Sequence, residues 1–248
     1  MKEDGITKIA FVTGGSGAIG TQICRELGAD GYSVAVGYCD GRERSERLAD
    51  ELCALGVRAI AVKCDVTDYE SVSSAKSLIE KTLGRVDTLV NCAGVEDYTL
   101  LIDESAENID RTLRANLTGT IYACKLFSEN MVSSRYGRII NISSIWGVYG
   151  ASMETVYSAA KAGVIGFTAA LSDELAPNGV TVNAISPGFI DTPMNARFTG
   201  AEREVILNEI PACRFGTPHD VANAVKFFAS KESSYVTGQN LVVSGGYK

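Results

Sequence analysis

The sequence predicts an α/β fold, a single domain with a doubly wound parallel sheet of seven strands and helices on both faces. Three observations lead to this prediction. Short apolar runs alternate with stretches of helical spacing along the chain. The runs are continuously apolar, as in strands that are covered on both faces. A glycine-rich turn follows the first run directly, and no repeat, low-complexity tract or long linker interrupts residues 1–248.

The strands and helices are predicted in alternation. Short apolar runs, the first of which ends in glycines, predict strands at residues 8–12, 33–38, 58–62, 86–91, 138–142, 180–185 and 241–243. Apolar residues at helical spacing predict helices at residues 19–27, 43–55, 69–83, 109–131, 155–175 and 221–229. Right-handed crossovers join such units into a Rossmann-type sheet, whose ligands bind beyond the carboxyl ends of the strands.

Composition and charge narrow the classes of function. Lys and Arg total 23 and Asp and Glu total 30, which gives a formal charge of −7. Because nucleic acids and anionic membranes attract basic surfaces, this charge argues against either as a general partner. No apolar run approaches the roughly 18 residues of a membrane span, and residues 1–4 begin no signal peptide. We therefore expect a cytoplasmic protein.

Cysteine and histidine counts argue against metal chemistry. The seven cysteines are odd in number and lack a CxxC spacing, so we expect free thiols in a reducing cytoplasm. His219 is the only histidine, which disfavours a metal site and excludes catalysis that needs two histidines. Because His219 follows Pro218 at an apparent helix start, a surface or capping role is expected.

The glycine-rich turn is the first candidate ligand site. Residues 13–20 read Thr-Gly-Gly-Ser-Gly-Ala-Ile-Gly and join the first predicted strand to the first predicted helix. Gly14 allows a tight turn, and Gly20 lets the helix pack close to the sheet. The amides at the helix start can then face a pyrophosphate, helped by the helix dipole.

This turn and several later motifs resemble those of the short-chain dehydrogenase/reductase family. The family's loop is Thr-Gly-x-x-x-[Gly/Ala]-x-Gly, and Ala18 stands at its middle small position. Residues 91–94, Asn-Cys-Ala-Gly, are similar to the family's Asn-Asn-Ala-Gly, although a thiol cannot duplicate the hydrogen bonds of an amide. The resemblance implies that Asp65 contacts adenine and that residues 187–192 embrace the nicotinamide half of the cofactor.

The resemblance implies a set of cofactor contacts. They are Gly14, Ser16, Gly17, Ile19, Gly20, Tyr38, Asp65, Val66, Asn91, Ala93, Gly94, Tyr157, Lys161, Pro187, Gly188, Ile190 and Thr192.

A catalytic set is predicted from spacing and resemblance together. Tyr157 and Lys161 are four residues apart in a predicted helix, so they share a face. Ser144 follows a predicted strand, and Asn116 lies in a predicted helix. The four residues match the family's catalytic set at its spacings.

The chemistry of ketone reduction needs these residue types. A nearby ammonium lowers the pKa of a tyrosine, so Lys161 is expected to make Tyr157 the acid in reduction and the base in the reverse reaction. Ser144 would donate a hydrogen bond to the substrate oxygen. The resemblance implies that Lys161 holds the nicotinamide ribose and that Asn116 holds a water linking Lys161 to solvent.

The residues after the second strand favour NADP(H) over NAD(H). NAD enzymes usually place an acid at the end of this strand to bind the ribose 2′-hydroxyl, and Tyr38 stands there instead. Arg42 and Arg44 follow and can approach a 2′-phosphate. Asp40, which lies between Tyr38 and Arg42, argues against this preference. So does Gly17, which lacks the basic side chain that many NADP enzymes carry in the first loop.

Residues 192–215 match the family's substrate lid. Its apolar residues are Met194, Phe198, Val205, Ile206, Leu207 and Ile210. An amphipathic helix that covers core gives the same pattern, and the two roles are compatible. Lids differ with the substrate, so the pattern does not identify the ligand.

The broader resemblance within the family is to 3-oxoacyl-acyl-carrier-protein reductases. It rests on Tyr-Ser-Ala-Ala-Lys-Ala-Gly-Val-Ile-Gly-Phe from Tyr157 and on Arg-Phe-Gly at residues 214–216. The resemblance implies docking of an acidic carrier, for which Arg135 and Arg138 are candidates. Asn178 stands where a second docking base is often found.

A narrower resemblance is to elongation factor P 5-aminopentanone reductases. It rests on Ser-Ser-Ile-Trp-Gly at residues 143–147, Gly-Ala-Ser at residues 150–152 with Glu154, and Phe-Thr-Gly-Ala-Glu at residues 198–202. Their substrate is a ketone with an amine, displayed on a protein, and Glu154 would meet its ammonium group. Alternatively, Glu154 is a helix-start acid favoured by the helix dipole.

Two further expectations concern catalysis and assembly. A sensor or scaffold that binds NADP without turnover is a third alternative, although intact Ser144, Tyr157 and Lys161 argue against it. Residues 221–243 resemble the family's main oligomer contact, so a homotetramer is expected. An intramolecular strand pair is the other interpretation of this segment.

Overall fold

A computed structural model describes residues 8–248 and confirms the predicted seven-stranded parallel sheet. The strands are β1 (Ile9–Thr13), β2 (Ser33–Tyr38), β3 (Ala59–Lys63), β4 (Thr88–Asn91), β5 (Gly137–Ile142), β6 (Val180–Pro187) and β7 (Asn240–Val243). They pair in the order β3-β2-β1-β4-β5-β6-β7, each parallel to its neighbours. Strand order reverses between β1 and β4, so a ligand crevice is expected above their carboxyl ends.

The helices alternate with the strands as predicted. They are α1 (Ala18–Ala29), α2 (Arg42–Ala54), α3 (Tyr69–Thr82), α4 (Ala106–Leu113), α5 (Gly119–Ser134), α6 (Trp146–Tyr149), α7 (Thr155–Leu175), α8 (Gly200–Glu209) and α9 (Pro218–Ala229). Short 3-10 turns lie at Leu101–Asp103, Ala176–Asn178 and Pro193–Arg197.

Two apolar layers cover the two faces of the sheet. Successive strand residues point to opposite faces, and Ile9 and Phe11 of β1 lie on one side while Ala10 and Val12 lie on the other. Helices α3, α5 and α7 contribute to the first layer, and α1, α2 and α9 contribute to the second. The continuous apolar strands are explained by burial on both faces.

The predicted long helix at 109–131 differs from the structure. It is divided into α4 and α5 by a π-helical turn at Arg114–Thr118. At the centre of this turn, the Asn116 side-chain amide donates to the Thr112 carbonyl at 2.9 Å and to the Val95 carbonyl at 2.8 Å. A side chain that bonds backbone groups competes with the regular helical ladder, and π turns often mark functional sites.

Three further expectations concern the membrane, the thiols and His219. Within residues 8–248, no helix combines the length and apolar character needed to cross a bilayer. All seven cysteines are free thiols, as predicted. The predicted surface role of His219 is confirmed, because its ring is largely exposed and lies 3.0 Å from Glu26. Thr217, with Asp220, caps α9 instead.

Candidate active site

The carboxyl ends of β1, β4 and β5 bring the predicted site residues to one edge of the sheet. The segments after β1 and β4 are tied together, because the backbone amides of Cys92 and Ala93 donate to the Thr13 hydroxyl at 3.1 and 3.2 Å. Ser144 follows β5, and Lys161 reaches the same edge from α7 by donating to the Ile142 carbonyl at 3.0 Å. The glycine loop and the catalytic candidates therefore share one crevice.

The glycine loop has the geometry of an anion cradle. Gly14 has a φ of +64°, and a Cβ atom there would lie 2.8 Å from the Cα atom of Ala93. A Cβ atom at Gly20 would lie only 2.3 Å from the Gly14 carbonyl oxygen. No side chain caps the start of α1, so the amides of its first turn are available to an anion. The loop fits a dinucleotide pyrophosphate.

The predicted adenosine side of the crevice lies beyond β2 and β3. The Asp65 carboxylate accepts hydrogen bonds from the Thr67 amide at 2.9 Å and the Thr67 hydroxyl at 2.7 Å through one oxygen. Its second oxygen is left for a ligand donor such as the adenine amine. Val66 is buried beside it, and Tyr38 is half-buried at the end of β2.

A hydroxyl and a guanidinium converge next to this side of the crevice. A Cβ atom built on Gly41 would lie 2.5 Å from Ser16 Oγ and 3.1 Å from Arg44 Nη2. Arg42, in contrast, turns along α2 and pairs with Glu46 at 2.8 Å. Among residues 8–248, no carboxylate lies within salt-bridge distance of Arg44. Of the two predicted arginines, Arg44 is thus the one that is free to bind a phosphate.

Three of the four catalytic candidates, Ser144, Tyr157 and Lys161, lie around the end of β5. Ser144 is buried, and its Oγ accepts a hydrogen bond from the Trp146 amide at 3.2 Å, which leaves its O–H as a donor to the Tyr157 oxygen or to a bound ligand. Lys161 Nζ lies 5.6 Å from the centre of the Tyr157 ring. A Cβ atom on Gly94 would lie 3.4 Å from Lys161 Nζ, so the backbone of Gly94 borders the amine.

Burial dominates the ionisation of the catalytic pair. It raises the pKa of Tyr157, and the carboxylates of Glu96 and Glu154 raise it further, whereas a hydrogen bond with Ser144 lowers it. Burial also lowers the pKa of Lys161 to about 8. For the protein groups alone, the pKa of Tyr157 is thus raised and not lowered as predicted, because burial is the largest influence on it.

Asn116 holds the segment that follows β4. Besides the bonds of its side-chain amide, its Oδ1 accepts from the Val95 amide at 3.3 Å, and the residue is fully buried. A Cβ atom on Gly94 would lie 2.6 Å from this same oxygen. The side chain thus fixes the backbone beside Lys161. Its predicted role in holding a water stays a proposal.

The loop after β6 closes the crevice on its third side. The Gly188 amide donates to the Val243 carbonyl at 2.9 Å, and Ile190 bridges to Gly216. The Thr192 hydroxyl donates to the Ile190 carbonyl at 3.4 Å. These bonds place the predicted nicotinamide loop, from Pro187 to Thr192, directly before residues 192–215, hereafter the lid.

The lid packs through an aromatic cluster. Phe189 is its centre, and its ring lies 5.6 Å from Trp146, 5.8 Å from Phe198, 5.9 Å from Phe215 and 5.2 Å from Tyr247. Of the remaining apolar lid residues predicted from sequence, three pack on this cluster and two are exposed. Those that pack are Ile206, Leu207 and Ile210, and those that are exposed are Met194 and Val205.

Sequence reasoning missed one charged cluster beside Tyr157. Arg197, in the lid, pairs with Glu96 and with Glu154, the latter at 2.9 Å. Glu154 stands at the start of α7, as the helix-start alternative expects, but it is also buried and paired with Arg197. Its place three residues before Tyr157 was the only local signal, whereas Glu96 and Arg197 meet it only in the folded chain.

One predicted docking base is ruled out. Arg138 is only 2% exposed, and its guanidinium donates to the Gly137 and Ser230 carbonyls and lies 4.6 Å from the Tyr136 ring centre. It cannot dock a carrier from inside the protein. Arg135 is exposed, but it precedes β5 and therefore lies at the opposite edge of the sheet from Ser144.

Comparisons with known proteins agree with this geometry. A family model described as enoyl-(acyl carrier protein) reductase matches residues 14–248. A 3-oxoacyl-[acyl-carrier-protein] reductase of Staphylococcus aureus is 39% identical over 241 residues, which are 97% of this chain and 98% of that protein. One from Synechocystis is 41% identical over 243 residues, 96% of each chain. Nodulation protein G of Azospirillum brasilense is 41% identical over 239 residues, 96% of this chain and 97% of that protein.

Proposed function

Because the chain belongs to the short-chain dehydrogenase/reductase family and is an oxidoreductase acting on CH–OH and C=O groups, we propose that it reduces a ketone to a secondary alcohol with NADPH. Its ketone is a 3-oxoacyl thioester on acyl carrier protein, as in the reductases it resembles over nearly its whole length. The observation that carries the proposal is the meeting of Ser144, Tyr157 and Lys161 beside the glycine loop.

The protein groups have distinct tasks in this reaction. Bound NADPH would supply the hydride. Ser144 donates its free O–H to the carbonyl oxygen as negative charge develops there. Tyr157 then donates the proton, and its raised pKa keeps the phenol protonated, which is the form that reduction requires. Because the pKa of Lys161 is about 8, its amine can release and regain a proton near neutral pH and so resupply Tyr157.

The preference for NADPH rests on the adenosine side of the crevice. Tyr38 presents no carboxylate to repel a 2′-phosphate, and Arg44 and Ser16 converge beside Gly41. Arginine binds phosphate through several N–H donors, and a hydroxyl adds a further donor. These residues form a phosphate site without a basic residue at Gly17.

The thioester proposal has a direct assay. NADPH consumption is expected with acetoacetyl-acyl carrier protein, and kcat/KM should exceed that for a small free ketone because the carrier adds contacts. The decrease in NADPH absorbance measures both. Cofactor binding without turnover across a panel of ketones would contradict the proposal and would favour the sensor alternative.

A second candidate function is reduction of the amine-bearing ketone displayed by elongation factor P. The observation that favours it is Glu154, because its Oε2 is buried without a hydrogen-bond partner in the described part of the chain, while Oε1 pairs with Arg197. A buried carboxylate oxygen without a partner is costly, and a substrate ammonium would satisfy it. The lid residues of the narrower resemblance lie at the same side of the site.

The two candidates are separated by the Glu154→Gln variant. If the substrate carries an amine, its KM should rise about 10- to 100-fold in this variant, because a hydrogen bond to a charged group is lost. The KM for acetoacetyl thioester should change little. Glu202→Gln, which removes an exposed lid carboxylate, is the matched control. Equal KM values for the aminoketone in both variants would exclude recognition by Glu154.

The tetramer is also part of the proposal. Strand β7 is an edge of the sheet, and Leu241, Val242 and the Phe227 side chain of α9 are exposed beside it. Exposed apolar surface of this kind is typical of an interface. We expect light scattering to give about four times the 26.3 kDa mass of the chain. Val242→Lys should lower that mass, whereas Leu55→Lys, at an exposed residue directly after α2, should not. A monomeric wild type would contradict the tetramer.

A further inference from the structure

Two buried carboxylates lie close enough to the catalytic tyrosine to disfavour its ionisation. Glu96 follows β4, Glu154 begins α7, and their side chains are 8% and 3% exposed. Both raise the pKa of Tyr157. No step of the proposed reduction uses either of them. Two buried negative charges beside the reacting atoms need a counter-charge.

Arg197 is the group that contacts both. One of its terminal nitrogens pairs with Glu96, and the other pairs with Glu154 at 2.9 Å. Its guanidinium also lies 4.5 Å from the Tyr98 ring centre and 4.6 Å from the Phe198 ring centre. Arg197 ends the short turn Pro193–Arg197 of the lid. A single side chain therefore joins the lid to the two segments that carry the acids.

The net charge of Arg197, Glu96 and Glu154 affects the ionisation of Tyr157. One guanidinium cannot neutralise two carboxylates, and burial together with Glu96 raises the pKa of Glu154 to about 7. When both acids are ionised, they and Arg197 carry a net charge of −1, and without Arg197 the two ionised acids carry −2. More negative surroundings disfavour tyrosinate. The other groups that act on the pKa of Tyr157 are Cys92 and Ser144, and Lys161 lies 5.6 Å from its ring centre. In residues 8–248, the ion pairs of Arg197 are with Glu96 and Glu154 and with none of these three.

We propose that Arg197 is a positioning residue that straps the lid over the active site and screens Glu96 and Glu154 from Tyr157. The inference rests on the proposed function, in which Tyr157 is the proton donor of reduction and the base of the reverse reaction. Closing the lid and neutralising the acids are then one event, because the same guanidinium does both. An open lid leaves Tyr157 beside two unscreened carboxylates and is poorly suited to oxidation of an alcohol.

The test is the pH profile of alcohol oxidation, measured with 3-hydroxybutyryl thioester and NADP⁺. In this direction kcat/KM rises with pH as Tyr157 loses its proton. In Arg197→Met the rising limb should move about one pH unit upward, which is about a tenfold lower rate on that limb. Glu154→Gln should move it downward, and the double variant should return it toward wild type. Arg197→Lys should rescue most of the shift, since it keeps the charge.

Arg203→Met is the matched control, because it removes the lid's ion pair with Asp191 and leaves the acids and Arg197 in place. Its pH profile should stay that of wild type. Hydrogen exchange of the amides in residues 194–198 should quicken in Arg197→Met, which reports on the attachment of the lid by Arg197 independently of turnover. If Arg197→Met does not fold, the pH profile of Glu154→Gln is the test, and a downward shift of its rising limb is the expected result.

The inference falls if Arg197→Met and Glu154→Gln both keep the wild-type pH profile. It also falls if the shift occurs equally in Arg203→Met. Failure of the proposed function has a different signature, namely a Tyr157→Phe variant that retains its rate. An unshifted Arg197→Met profile together with an inactive Tyr157→Phe variant would therefore contradict the role of Arg197 and leave the proposed reductase function supported.

Discussion

Replacement of Tyr157 by phenylalanine is expected to lower kcat for ketone reduction by about 10²- to 10⁴-fold, the usual contribution of a positioned general acid. The substitution removes only the phenolic O–H. The ring keeps its place, and Lys161, the glycine loop and the aromatic cluster are untouched. NADPH should therefore still bind, as measured by fluorescence titration, while NADPH consumption with acetoacetyl thioester is nearly lost.

The control for this change is Tyr122→Phe. Tyr122 is also half-buried, and it packs against Tyr69 with ring centres 5.2 Å apart, on the face covered by α3 and α5. It loses the same oxygen at a distance from the crevice, so its kcat should match wild type. A Tyr157→Phe enzyme with a near-normal rate, or an equal loss in Tyr122→Phe, would show that the phenol is not the proton donor.

The fold was predictable because its signals are local. Continuous apolar runs and helical spacing are read within a dozen residues, and parallel strands with crossover helices have few possible arrangements. The π turn at Arg114–Thr118 was not predictable in this way. It depends on the Asn116 side chain reaching the Val95 carbonyl, which belongs to the segment after another strand.

The catalytic candidates were predictable because three of them follow strands or share one helix face. Charged side chains were predicted less well. Arg138 reads as a surface base, yet its guanidinium is held inside by two carbonyl oxygens and the Tyr136 ring. The meeting of Glu96, Glu154 and Arg197 spans about a hundred residues of sequence, and no pattern within one element indicates it.

Burial explains why the pKa of Tyr157 is raised although the sequence predicts that it is lowered. A lysine four residues from a tyrosine suggests that the ammonium lowers the phenol's pKa. Once both groups are buried, the loss of water disfavours tyrosinate and ammonium alike, and the pKa values of Tyr157 and Lys161 move in opposite directions toward the neutral forms. Sequence spacing gives the proximity of two groups, but the sign of the pKa shift depends on burial.

The preference for NADPH over NADH is expected to depend strongly on Arg44. Replacing Arg44 by alanine should lower kcat/KM for NADPH about 10- to 100-fold, because charge-assisted hydrogen bonds to a phosphate are lost. The value for NADH should hardly change, since its ribose has no 2′-phosphate for the guanidinium to bind. The ratio of the two kcat/KM values measures the effect and cancels any general damage to the enzyme.

Arg42→Ala is the matched control two residues away on α2. Both arginines are exposed, but the Arg42 guanidinium is engaged by Glu46, whereas Arg44 reaches the space over Gly41 that Ser16 also faces. If proximity in sequence were enough, both variants would lose NADPH preference equally. If the wild type prefers NADH, the phosphate site is wrong. A loss confined to Arg44→Ala would mean that the direction of the side chain, rather than the count of basic residues after β2, determines which cofactor is used.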